Sequence, residues 1–74
     1  MTYYIAQEKT KRSGNLGPFW TGKGWSVFEN RKIYPDLDLA VAEFATATRN
    51  AVRSTLLMSM RGNIVAKNKI RQSA

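Results

Sequence analysis

The sequence predicts an α+β domain: a small antiparallel sheet of two or three strands packed against one long or kinked helix, with a basic C-terminal tail. Three observations carry this expectation. Aromatic and branched runs in the first half of the chain are separated by glycine-containing turns. Residues 36–61 place apolar side chains in steps of three and four. Beyond Gly62 the chain is polar and basic.

The first strand is read in TYYIAQE, residues 2–8, where aromatic and branched side chains favour an extended chain. Residues 9–18, KTKRSGNLGP, form a polar loop carrying Lys9, Lys11 and Arg12. A hairpin comes next in FWTGKGWSVF, with Gly22-Lys23-Gly24 at its turn and Trp20 and Trp25 bracketing it. Ile33-Tyr34 is a candidate last short strand before Pro35. Two strands alone are marginal, so the first strand is expected to join the hairpin.

The helix is expected to begin at Asp36, whose carboxylate can cap the first amides, with Asp38 favourably placed in the first turn. Leu37, Val41, Phe44, Ala45, Val52 and Thr55 form the expected apolar stripe. Arg61 and Gly62 mark the expected end. Unbroken, the helix would span about 39 Å. Thr46, Thr48, Asn50 and Thr55 are mediocre helix formers, so a kink or break near 48–50 is the alternative. Leu56, Leu57, Met58 and Met60 would put apolar groups all round this helix. Either the rest of the chain folds over them, or Leu57 and Met60 are apolar anchors for a partner.

The chain has 74 residues, enough for one small domain, divided here into residues 1–62 and a tail of 63–74. It lacks cysteine and histidine, which removes disulfides, thiolate metal sites, the commonest general base and the usual pH switch. No cofactor or metal is implied. No stretch approaches the roughly 20 apolar residues needed to span a bilayer. The N-terminus lacks the order of a secretory signal, so a cytoplasmic protein with no membrane partner is expected.

The formal charge is +7, and it is lopsided. Residues 1–43 hold six basic and five acidic side chains, whereas residues 44–74 hold six basic and none acidic. That imbalance points to a polyanionic or acidic partner. The candidate contact residues are Arg49, Arg53, Arg61, Lys67, Lys69 and Arg71. Trp20 and Trp25 are candidate aromatic contacts, with the hydrophobic core as their competing role.

No catalytic constellation is visible. The spacing from Gly17 through Gly22-Lys23 matches a phosphate-binding loop up to its lysine, but Gly24 replaces the magnesium-holding hydroxyl. The five carboxylates stand where caps and polar faces belong, and no hydroxyl has an activating base. The expectation is a protein that is not an enzyme.

The run FWTGKGWS, a polar turn, and the helix opening DLDLAVAEFA resemble small phage and prophage accessory proteins, over residues 19–48. The resemblance implies a stoichiometric binder. Some such proteins block host enzymes, including RNA polymerase and defence nucleases. Acidic members can mimic DNA, and this basic chain departs from that pattern. No functional residue carries over. The leading expectation is therefore a non-enzymatic binding protein that inhibits or redirects a nucleic-acid-handling host complex. The alternatives are direct, sequence-independent nucleic-acid binding through the same basic face, and a small structural subunit. A homo-oligomer is compatible with each.

Overall fold

The computed structural model describes residues 2–8 and 16–68. The chain runs β1 (Tyr3–Glu8), β2 (Leu16–Trp20), β3 (Trp25–Ser26), a 3-10 turn (Phe28–Asn30), α1 (Leu37–Arg49), β4 (Thr55–Ser59) and β5 (Ile64–Asn68). The five strands form one antiparallel sheet in the order β3-β2-β1-β4-β5. The architecture is α+β as expected, but the sheet has five strands rather than two or three.

β1 and the glycine turn agree with the sequence reading, but β2 begins at Leu16, inside the expected loop of residues 9–18, and β3 stops at Ser26, with Phe28 passing into the 3-10 turn. Trp20 pairs with Trp25 across the glycine turn, their rings meeting edge to face at 5.0 Å. The Thr21 hydroxyl accepts from the amides of Lys23 and Gly24, which closes that turn locally. Tyr34 bridges to Tyr3 on the β2 side of β1.

Asp36 caps α1 as expected, its carboxylate accepting from the Asp38 amide at 3.0 Å. The helix then stops at Arg49, at the alternative break, and the chain continues into a strand and not into more helix. Residues 55–59 are buried on both faces of the sheet. A strand covered on both sides reads as a continuous apolar run, which is why Leu56, Leu57 and Met58 looked apolar all round a helix. Gly62 has the positive φ expected of it, 88°, but in the β4–β5 turn. Residues 64–68 form β5 and do not hang free as a tail. The rest of the expected tail, residues 69–74, lies outside the described residues.

The core has two layers. Ile5, Trp20, Tyr34, Leu57, Ala40 and Ala47 fill the space between sheet and α1, with Phe44, Trp25 and Ala66 at its margin. Tyr4, Ala6, Phe19, Leu56 and Met58 line the opposite face. The stripe that meets the sheet is thus centred on Ala40 and Ala47, small residues that let the helix approach closely. Leu37, Val41 and Ala45, expected in that stripe, are exposed instead.

Candidate functional site

One end of the sheet, where β1 finishes at Glu8, gathers the long-range side-chain hydrogen bonds of the described residues. β1 bulges here, between Ala6 and Glu8, against β2. Gln7 sits in the bulge, 3% exposed, and its side-chain oxygen accepts from the amides of Val52 and Arg53 at 3.2 and 3.1 Å. The Trp25 indole donates to the Asn50 carbonyl at 2.9 Å, satisfying a group left over at the helix end. Together these bonds turn the chain from α1 into β4. They also fix Arg53 beside the start of β2.

Arg53 lines a hollow of about 520 Å³ with Leu16, Phe19 and Phe28. Phe28 is half exposed and packs edge to face on Phe19 at 5.1 Å. The Arg31 guanidinium lies 3.6 Å from the Phe28 ring centre and 5.3 Å from that of Tyr4. Its Nη1 donates to the Phe28 carbonyl at 3.0 Å, so the stack is tied at both ends. A part-exposed aromatic ring with a stacked arginine on one side and Arg53 lining the same hollow can hold a flat, electron-rich group beside an anion. Phe28 and Arg31 were absent from the residues picked out in the sequence. Their three-residue spacing within the turn FENR was the available signal.

The expected basic face is divided by the fold. Arg49 folds back along α1, its Nη2 3.4 Å from the Thr46 hydroxyl. Arg53 stands at the Glu8 end. Arg61 lies in the β4–β5 turn at the other end of the sheet, after Ser59, which pairs with Tyr3. Lys67 forms an ion pair with Glu8 across the helix-free face. Lys69 and Arg71 lie outside the described residues. The described residues hold seven basic and five acidic side chains. The other five basic residues, Lys9, Lys11, Arg12, Lys69 and Arg71, belong to segments without acid. Those segments join the described fold at Glu8, Leu16 and Asn68, which register places at the same end as Arg53.

The apolar and aromatic candidates fare differently. Leu57 is fully buried between β1, β5 and α1, so its expected role as a partner anchor is corrected to a core role. Met60 is 44% exposed beside Arg61. Trp20, 2% exposed, belongs to the core and offers no face to a ligand. Trp25 is half-buried and engaged with Asn50.

No family model matches the chain, and neither does a curated protein or a solved structure. The fold and its side chains therefore carry the functional reading.

A polar group is also enclosed beneath α1. Among the described residues, Tyr34 Oη and Trp20 Nε1 are buried without a well-formed hydrogen bond, each within electrostatic reach of the other. Burial first, and then the nearby Glu43 carboxylate, push the Tyr34 phenol up to about 12. Glu43 lies within electrostatic reach of the phenol at a geometry short of a formed hydrogen bond. Among the described residues no group of three or more Asp or Glu gathers to hold a metal ion, and no helix is long and apolar enough to cross a membrane.

Proposed function

We propose that this protein is a non-enzymatic binding module that takes a nucleic-acid backbone at the Glu8 end of its sheet, largely without regard to sequence. The observation that carries the reading is where the basic segments attach. The described fold is close to neutral, while the two acid-free basic segments join it beside Arg53. Phosphate neutralisation by such a cluster supplies affinity without base readout. Phe28, with Arg31 stacked on it, adds a ring against which an unpaired base can pack.

A second reading keeps the same charge but docks it on an acidic surface of a host nucleic-acid-handling complex, as a phage-type blocker. Burial of Leu57 removes one of its two apolar anchors. The neighbouring pair Met60 and Arg61, exposed together at the opposite end, is the observation that favours it.

Fluorescence anisotropy with labelled single- and double-stranded oligonucleotides tests the first reading. Log affinity should fall linearly with log salt, with a slope of about −0.7 to −0.9 for each phosphate neutralised. Arg53→Glu should weaken binding to every sequence. Phe28→Ala should weaken single-stranded binding more than double-stranded. Absence of binding at low salt, or binding that ignores salt, would sink the proposal.

A further inference from the structure

The face of α1 that points away from the sheet is unusual for a surface helix. Leu37, Leu39 and Val41 are 42, 56 and 50% exposed, and Ala42 and Ala45 are also exposed. Five of the seven exposed residues of α1 are thus apolar, and an apolar helix face is one expected to be covered. Asp38, Ala42, Ala45 and Arg49 succeed one another in steps of four, three and four. By the helical period, that row lies opposite the row of Ala40, Glu43, Phe44 and Ala47, which meets the sheet. Val41 flanks it on one side and Leu39 on the other.

The row is self-complementary. It begins with an acid, ends with a base, and has two alanines symmetrically between them. We infer that a second copy of this chain docks here, α1 against α1 in antiparallel orientation, about a two-fold axis passing between Ala42 and Ala45. The alanines let the two backbones approach to roughly 8 Å at the crossing. Val41 and Leu39 then close over the sides of the contact. The axis sets Asp38 of each copy against Arg49 of the partner subunit, giving two symmetric ion pairs at the margins. Among the described residues neither side chain is in an ion pair within its own chain. Arg49 already folds back along this face towards Thr46.

Charge selects a second copy over other occupants. The row carries one acid and one base, so it offers no net charge to a polyanion or to an acidic protein. Both complements, an acid facing Arg49 and a base facing Asp38, are supplied at the right separation by the same row reversed. The resulting layers are sheet, helix, helix, sheet, which leaves both Glu8 ends open. One 13-residue helix face falls below the roughly 1,600 Å² of a standard interface, so the association is weak and reversible.

Sedimentation equilibrium of the full chain at low ionic strength, from micromolar to millimolar, reads this directly. A monomer–dimer equilibrium is expected. Asp38→Arg and Arg49→Asp should each raise the dissociation constant by roughly tenfold, from two pairs lost and like charges opposed. The double variant D38R/R49D exchanges acid and base and should recover dimerisation. Ala45→Glu should leave a monomer. Thermal melts establish that each variant is folded. The double variant retains the unfavourable charges at the helix ends, so its recovery cannot come from a more stable helix. A parent that stays monomeric at millimolar concentration overturns the proposal. So do single variants that dimerise like the parent, or a double variant that does not recover. Oligonucleotide binding by the Ala45→Glu monomer reports on the Glu8 end separately.

Discussion

The side-chain oxygen of Gln7 accepts a hydrogen bond from the amide of Arg53, 3.1 Å away and 46 residues along the chain. The same oxygen also holds the Val52 amide. A buried glutamine in a strand bulge thus decides where the chain leaves α1 and enters β4. Gln7→Leu would leave both amides without that acceptor. At about 1–2 kcal/mol for each of these two part-buried donors orphaned, a loss of roughly 2–4 kcal/mol is expected in urea unfolding. A loss below about 0.5 kcal/mol would show that the turn holds itself.

Trp25 fixes the same junction from the other side through its bond to the Asn50 carbonyl. Trp25→Phe keeps an aromatic ring against Trp20 but cannot donate. It should lower stability by about 1 kcal/mol. The loss should concentrate in hydrogen exchange of the last turn of α1. Unchanged protection there would show that the bond contributes nothing.

Leu57 and Met60 looked alike in sequence and should respond very differently. Leu57→Ala opens a cavity between sheet and helix and should cost about 2–5 kcal/mol. Met60→Ala, at an exposed turn, should stay within about 0.5 kcal/mol. Equal losses would mean that Met60 is covered in solution.

Tyr34 should make stability fall at high pH. Its folded pKa, about 12, stands above the ordinary 10.0, so the folded state holds the proton more tightly. The associated stability is fully present below pH 10 and is lost as pH rises from about 10 to 12. Its size is on the order of 2–3 kcal/mol. Tyr34→Phe removes the ionisation, so the parent should lose stability relative to the variant across that window, by about that amount. Parallel stability curves for the two proteins between pH 9 and 12 would refute this.

Local chemistry was legible where it acts over a few residues. Pro35 with Asp36 announced the helix start, and Gly22 with its flanking tryptophans announced the hairpin. Phe28 and Arg31 were legible in principle, because a three-residue spacing in a tight turn brings a ring under a guanidinium. The basic excess was legible too, as composition. Its division was not, because Arg49, Arg53 and Arg61 shared one helix only on the assumption that residues 50–54 stay helical.

The α+β class, the start of α1, the first hairpin and the net positive charge could all be read from the residues alone, since each rests on propensities and charges that near neighbours set. The state of residues 55–59 and the count of strands came from long-range pairing. A contiguous run such as Leu56-Leu57-Met58 suits a buried helix and a doubly covered strand equally well. Pairing with β1 on one side and β5 on the other tips it, together with the distant acceptor of Gln7 that ends the helix first. Those partners lie up to 56 residues away in sequence, as in the register of Tyr3 with Ser59, beyond the reach of any local period.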